Sequence, residues 1–108
     1  MANTQALRNA VQRVIEQNLS LNYRPNRFIH ATEHGLAANI VEVCERLLTN
    51  PETLEHIEPA VRANPGLLTL EDEVLRDRDG FGLPESVRAS CAERVRWFDQ
   101  ICPSRRRL

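Results

Sequence analysis

Apolar residues recur at intervals of three and four along most of this chain, and that spacing constrains the fold more than any other feature. The longest stripe consists of Val87, Cys91, Val95, Phe98 and Cys102. A second clear stripe consists of Leu36, Ile40, Val41, Cys44, Leu47 and Leu48. A period near 3.6 residues is typical of amphipathic helices, whereas strands alternate apolar and polar residues. The spacing therefore predicts helices throughout the chain and no sheet.

Prolines and glycines divide the periodic segments into separate helices. Pro25, Pro51 and Pro84 each precede a periodic segment, and proline suits the first turn of a helix because the missing N–H needs no partner there. Gly35 follows a periodic segment, and glycine favours the left-handed conformation that ends many helices. The punctuation and the period therefore agree on where the helices lie.

Three further local signals refine the predicted boundaries of the helices. Thr4 is a predicted N-cap of the first helix, which is expected to end near Asn18. Thr69 and Asp72 resemble a capping box, with Asp in place of the usual Glu. Pro59 lies inside a periodic segment and predicts a break or kink there, because proline cannot donate the helical hydrogen bond.

These signals together predict an all-α protein. We expect a compact bundle of five to six short helices, a single domain over residues 1–102, and a basic, mobile tail over residues 103–108. A chain of 108 residues is long enough to bury one core without disulfide or metal staples. No internal repeat or long linker divides it.

Composition excludes several classes of protein. The hydrophobic fraction is 42%, the charged fraction 27% and the net charge −1, which excludes a disordered chain and disfavours a nucleic-acid coat. No apolar run approaches the roughly 20 residues that a membrane span needs. The first residues do not resemble a signal peptide. We therefore expect a cytoplasmic protein with no membrane association.

Two residue types indicate the cellular setting. All 14 basic residues are Arg and none is Lys, which has no folding reason and suggests a GC-rich bacterial genome. Cys44, Cys91 and Cys102 are odd in number, lack the Cys-x-x-Cys spacing and lie on apolar stripes. They are expected to be reduced, buried thiols.

Charge is unevenly distributed along the chain. Residues 51–80 carry eight acidic residues and three arginines, whereas residues 81–108 carry six arginines and three acidic residues. One interpretation is that the acidic middle packs beside the basic last helix and the two neutralise each other. The other is that partner-binding surfaces are formed by Glu71, Asp72 and Glu73 and by Arg105, Arg106 and Arg107.

Short motifs spread over residues 23–98 resemble a small helical domain of bacterial proteins. They are Tyr23-Arg24-Pro25-Asn26-Arg27-Phe28, His34-Gly35, Val43 with Arg46-Leu47-Leu48, Leu68-Thr69-Leu70-Glu71 with Val74-Leu75, and the stretch from Phe81 to Arg96. The resemblance implies a bacterial all-α domain. Because no activity is attached to that domain, it implies no site residue.

The string from His30 to His34 has the spacing of a zinc motif. In His-x-x-Glu-His, two imidazoles four residues apart share a helix face, with Glu33 as an adjacent base. A catalytic site also needs a further ligand, and Gly35 is expected to end the helix at the second histidine. We therefore expect His30 and His34 not to hold catalytic zinc. A small metal-dependent hydrolase using His30, Glu33 and His34 is an alternative.

Residues 27–46 also match the pattern of a helix-turn-helix. Ala31, Gly35, Val41 and Cys44 fall at its small-residue, turn and core positions. The second helix offers Glu42, Glu45 and only one Arg46. Carboxylates facing phosphates oppose binding, so nucleic acid is a disfavoured partner. A DNA-binding protein using residues 27–46 is the first alternative function.

Arg94 falls within the apolar stripe of the last helix, between Val87, Phe98 and Ile101. An unpaired guanidinium in a core would be too costly. We therefore expect its stem to be packed and its head to contact a carboxylate or helix-end carbonyls, with the acidic segment 71–79 as the source.

The sequence contains no credible catalytic constellation, and we expect neither an enzyme nor a bound cofactor. A helical bundle of this size without an active site usually works through a surface. The sequence therefore favours a non-catalytic bacterial module that binds another protein.

Overall fold

The computed structural model describes residues 3–35 and 39–105. Within these ranges the chain forms only helices: α1 (Thr4–Ser20), α2 (Asn26–Gly35), α3 (Ile40–Thr49), α4 (Pro51–Ala63), α5 (Leu70–Arg76), a short 3-10 helix (Gly80–Gly82) and α6 (Glu85–Ile101). The predicted all-α class is confirmed. Across the described ranges, no helix combines the length and apolar content that crossing a bilayer requires.

Most helix starts follow from local capping chemistry. The predicted capping box of α5 is present, because Thr69 and Asp72 accept hydrogen bonds from each other's backbone N–H. The N-cap of α1 differs from the prediction. The Asn3 side chain, and not that of Thr4, accepts the hydrogen bond from the Ala6 N–H at 3.1 Å. Thr4 is instead the first helical residue, so the prediction was displaced by one position.

Helix α4 continues through Pro59, and the predicted break is wrong. The ring of Pro59 is exposed, while Ala60 and Val61, the next two residues, are buried in the core. Packing of the last turn against α6 therefore holds the helix together despite the missing hydrogen bond.

Two hydrophobic clusters form the core, and α6 contributes to both. The larger cluster joins α1, α3, α5 and the first half of α6, and consists of Leu7, Ala10, Val11, Ile40, Cys44, Leu48, Leu70, Val74, Phe81, Leu83, Val87 and Cys91. The smaller joins α4 to the second half of α6 and consists of Ala60, Val61, Leu67, Val95, Phe98 and Cys102. The predicted apolar stripe of α6 therefore joins the two clusters, with Val87 and Cys91 in the larger and Val95, Phe98 and Cys102 in the smaller.

The turn before α6 holds Phe81 in the left-handed region, with a φ of 57°. Three features keep it there despite the steric cost for a non-glycine residue. Its N–H donates to the Asp77 carboxylate at 2.8 Å, its carbonyl accepts from the Asn3 N–H at 2.7 Å, and its ring is buried in the larger cluster. The turn therefore ties the start of α1 to the core.

Arg94 lies in the interior of the bundle with 6% of its surface exposed. Its guanidinium donates to the Glu71 carboxylate at 3.1 Å and to the carbonyls of Leu47 and Asn50 at 2.9 and 2.8 Å. Those carbonyls lie at the end of α3, and Glu71 belongs to the acidic segment. The predicted burial of Arg94 and both predicted kinds of partner are confirmed.

Candidate functional site

A cleft of about 730 Å³ opens between α2 and α4. Both helices pack against α3, and no packing of similar extent joins α2 to α4 within the described residues. The wedge between the two helices is therefore left open. Ligand sites in proteins typically enclose about 300–1,000 Å³, so the cleft is large enough to receive a ligand or part of a partner.

The floor of the cleft is built from buried side chains of α1, α3 and α5. Its apolar part consists of Val14, Leu48 and Leu70. Two buried polar side chains lie among them. Asn18 donates to the Leu68 carbonyl at 2.9 Å, and Glu71 accepts from Arg94. Both polar groups thus have partners inside the protein.

Glu71 is the only buried carboxylate in the described lining of the cleft, and it is 4% exposed. Burial raises the pKa of its carboxyl, and the nearby positive charge of Arg94 opposes that shift. Because the Arg94 guanidinium is held by Leu47 and Asn50, it stays beside Glu71. A ligand that reaches the floor of the cleft therefore contacts a Glu71 carboxylate whose negative charge is already balanced by Arg94.

The walls carry large side chains that are only half-buried, namely Tyr23, Phe28, Leu47 and Ile57. Phe28 packs against the larger core cluster, and Tyr23 and Ile57 pack against the smaller one. Burial also raises the pKa of Tyr23, so its phenol stays protonated at neutral pH. The walls are therefore apolar surfaces that are held in place by the core and remain partly exposed to solvent.

The rim of the cleft is polar. The exposed residues are Asn26, Arg27 and His30 on α2 and Glu52 and His56 on α4. The first turns of α2 and α4 both lie at this rim. An apolar interior with a polar rim can bind an amphipathic partner.

The predicted zinc motif lies partly in this rim. His30 and Glu33 are exposed on α2, whereas the side chain of His34 lies outside the described residues. Among the side chains that the structure describes, which do not include that of His34, no group of three or more His, Cys, Asp or Glu is placed to hold a metal ion. The expectation that His30 and His34 do not hold catalytic zinc stays a prediction.

The helix-turn-helix alternative involves the same helix α2 together with α3, which packs against it. Arg46, the single basic residue of its proposed reading helix, lies 3.4 Å from the Glu42 carboxylate. The Asn39 side chain caps α3 by accepting from the Glu42 N–H at 3.1 Å. These polar groups already have partners within the helix, and DNA binding stays a prediction.

The predicted acidic partner surface is corrected by the structure. Glu71 and Glu73 are buried. Glu73 pairs with Arg13 at 2.6 Å, while Glu71 pairs with Arg94. Asp72 caps α5 and also pairs with Arg105. The described residues fit the interpretation in which the acidic middle packs beside the last helix, because α5 packs directly on α6 and Glu71 and Asp72 pair with Arg94 and Arg105.

The predicted mobile tail is also corrected as far as residue 105. The Arg105 side chain is 1% exposed, pairs with Asp72 and lies 3.7 Å from the Asp99 carboxylate. Its guanidinium stacks over the Phe98 ring, 5.2 Å from the centroid. Arg106 and Arg107, the other two predicted partner-binding residues of the tail, lie outside the described residues.

The three cysteines are free and buried, as predicted. Burial raises the pKa of Cys44 and of Cys91 to about 12. A thiolate is the reactive form of cysteine, so these two side chains are unreactive at neutral pH. They are packing residues of the larger cluster.

Sequence reasoning missed the cleft itself. It gave no role to His56 and did not connect Tyr23 with Ile57. These residues lie on separate segments, and no local spacing relates them. Phe28 on α2 and Ile57 on α4 are large apolar residues, which is the one feature of the sequence that points to the cleft. That feature indicates a shared site only when both helices are known to pack on α3.

Comparisons with protein-family models, with curated proteins and with solved structures find no match to this chain. The resemblance to a bacterial helical domain therefore stays a prediction.

Proposed function

We propose that this chain is a non-catalytic helical module that binds a protein partner, and that part of the partner enters the cleft between α2 and α4. The observation that carries the proposal is the open wedge itself. Four large side chains, Tyr23, Phe28, Leu47 and Ile57, are left half-exposed there, although Tyr23, Phe28 and Ile57 pack against the core clusters. Apolar surface inside a polar rim favours a binding site.

The other chemically active groups support binding over catalysis. Cys44 and Cys91 are buried with a pKa raised to about 12, and Glu71 and Glu73 are in internal ion pairs. We also propose a bacterial cytoplasmic setting. Free, buried thiols suit a reducing compartment, and the arginine-only composition suits a GC-rich genome.

Selection of peptides from a random display library on the immobilised protein tests the proposal. The variants Ala31→Trp and Thr53→Trp each add an indole from opposite walls of the cleft without removing a core side chain. Ala89→Trp adds the same group on the exposed face of α6 and serves as the matched control. Circular dichroism and thermal unfolding check that each variant folds.

We expect enriched peptides to bind the wild-type protein and Ala89→Trp alike, and to lose binding to folded Ala31→Trp or Thr53→Trp. The proposal is contradicted if no peptide is enriched, or if enriched peptides bind the cleft-filled variants as well as wild type. A salt-dependent mobility shift of duplex DNA would instead favour the helix-turn-helix alternative.

A further inference from the structure

We propose that the floor of the cleft is a subsite for one neutral, aromatic side chain that donates a hydrogen bond, the indole of a tryptophan in the partner. This inference depends on the proposed function, because it assigns the side chain that the same cleft receives. It is carried by the side-chain oxygen of Asn18, a residue that lines the cleft and is 2% exposed. No described residue supplies a donor to that oxygen.

The orientation of the Asn18 amide follows from its neighbours. The Gln17 amide nitrogen donates to the Gly66 carbonyl at 2.6 Å, and the Gln17 oxygen accepts from the Leu68 N–H at 2.9 Å. The Asn18 Nδ2 atom donates to that Gln17 oxygen at 3.1 Å and to the Leu68 carbonyl at 2.9 Å. Turning the Asn18 amide over would place its oxygen against these two acceptors. Both hydrogens of Nδ2 are therefore used inside the protein.

The Oδ1 atom of Asn18 is the polar atom that remains. Among the residues that the structure describes, no N–H or O–H group donates a hydrogen bond to it. Because Asn18 lies at the floor of the cleft, a group that fills the floor excludes water from this oxygen. A buried acceptor without a hydrogen bond is costly. The group that occupies the floor must therefore bring a donor.

The other polar groups beside the floor are acceptors as well. Glu71 accepts from Arg94 at 3.1 Å, and the carbonyls of Leu47 and Asn50 accept from the same guanidinium. Leu47, Asn50 and Glu71 all line the cleft. Because Arg94 already balances the Glu71 carboxylate, a second cation would be buried there without a counter-charge of its own. The floor therefore favours a neutral donor over an ammonium or a guanidinium group.

The apolar surface around Asn18 requires a large body to carry that donor. Val14, Leu48 and Leu70 form the apolar floor, and Phe28 and Ile57 lie in the walls. A small hydroxyl or amide side chain would leave most of this surface uncovered. A phenol covers more of it, but its oxygen is also an acceptor and would lie among other acceptors. An indole is neutral, is a donor only and buries about 150–250 Å² of surface.

Two small probes test the subsite on the intact protein. N-acetyl-tryptophanamide carries the indole N–H, and its benzothiophene analogue has a sulfur atom in place of that N–H with nearly the same shape. Binding is measured by titration in two-dimensional proton–nitrogen NMR spectra, in which the Asn18 side-chain amide reports on the floor. We expect the tryptophan probe to bind about tenfold more tightly, because it alone satisfies the Asn18 oxygen.

Asn18→Leu removes the acceptor and should bring the two probes to nearly equal affinity. Asn9→Leu makes the same change at an exposed position of α1 outside the cleft and should keep the preference. Circular dichroism checks folding, because the Asn18 amide also holds the Leu68 carbonyl. If Asn18→Leu does not fold, the two probes on the wild-type protein decide the inference, and Ala31→Trp and Thr53→Trp should weaken both.

The outcomes separate this inference from the proposed function. Equal affinity of the two probes for the wild-type protein overturns the subsite, and so does tighter binding of a cationic aromatic probe, benzylamine. If neither probe binds while library peptides still bind the cleft, the indole subsite is overturned and the proposed function stands. If no library peptide is enriched, the proposed function is contradicted, and the probe pair still decides the subsite.

A second copy of this chain is a further outcome, because Trp97 on α6 is 38% exposed. Sedimentation measures self-association of the wild-type protein. Association that is lost in both Trp97→Leu and Thr53→Trp would identify the indole of a second copy as the group in the cleft and would support the subsite. Association that Thr53→Trp abolishes and Trp97→Leu preserves would show that another group fills the cleft and would overturn it.

Discussion

Arg94 reaches from the core face of α6 to acceptors on two other elements, the end of α3 and the start of α5. The geometry combines one ion pair with two carbonyl acceptors, so the guanidinium is held from several directions. A buried charge of this kind is tolerated only because its partners are complete. The same residue also closes the end of α3, whose last carbonyls have no helical partner.

Replacing Arg94 by Met should lower the free energy of unfolding by about 3–5 kcal/mol, because Glu71 is left buried without its partner. Urea denaturation followed by circular dichroism measures the change. Arg96→Met on the exposed face of α6 is the control and should change stability by less than ~0.5 kcal/mol.

The double variant Arg94→Met with Glu71→Leu should recover a large part of that loss, because neither buried charge is then left alone. Additive losses in the double variant would contradict this account of the pair.

The buried thiols make a second prediction at the scale of single residues. Because the pKa of Cys44 and of Cys91 is raised to about 12, these two cysteines should react with a thiol reagent at pH 8 at least about a hundredfold more slowly in the native protein than in the unfolded protein. Mass spectrometry of the labelled protein gives the rates. Rapid labelling of either cysteine without unfolding would show that the larger core cluster opens locally.

At the scale of elements, α4 shows tertiary packing overriding a local signal. Pro59 lacks the N–H that would bond to the Glu55 carbonyl, and its ring is exposed. Pro59→Ala should therefore raise the free energy of unfolding by roughly 1–3 kcal/mol. Thermal unfolding measures the gain. A decrease in the melting temperature would mean that the proline is needed for the shape of α4.

Helix α5 depends on its cap because it has only seven residues, fewer than a helix needs to be stable alone. Thr69→Ala removes the side-chain oxygen that accepts from the Asp72 N–H and should cost about 1–2 kcal/mol. Thr4→Ala at the exposed start of α1 is the control. Because Asn3 caps that helix, Thr4→Ala should leave the urea midpoint nearly unchanged, and equal losses would contradict the assignment of both caps.

At the scale of the whole molecule, the segment from Cys102 to Arg105, which follows α6, is part of the fold. Arg105 lies against Phe98 and pairs with Asp72, which also caps α5. One side chain therefore connects the end of the chain to the acidic segment. Its Nε and Nη1 atoms are buried without a hydrogen-bond partner in the described residues, so part of the gain from the ion pair is lost to desolvation.

Arg105→Ala should lower the free energy of unfolding by about 2–4 kcal/mol, because Asp72 loses its charged partner and Phe98 loses its cover. Urea denaturation measures the change, with Arg96→Ala as the exposed control. An effect no larger than that of the control would show that residue 105 does not contribute to the stability of the fold.

The arrangement of the helices also creates the cleft. Its floor comes from α1, α3 and α5, and its walls come from α2, α4, the segment before α2 and Leu47 of α3. No single helix carries the site. A change that moves α2 or α4 on α3 would therefore alter the cleft without touching its lining, which makes the helix contacts of α3 a determinant of binding.

The sequence by itself determined the all-α class, most helix positions and the burial of Arg94 with its carboxylate partner. These follow from periodicity and capping, which depend on residues a few positions apart. Only the tertiary structure decided that α4 passes through Pro59, that Glu73 and Arg105 are internal, and that Tyr23 and His56 share a cleft. The physical reason is that these outcomes depend on packing between distant segments, and the free energy of such packing exceeds local preference without leaving a local pattern in the chain.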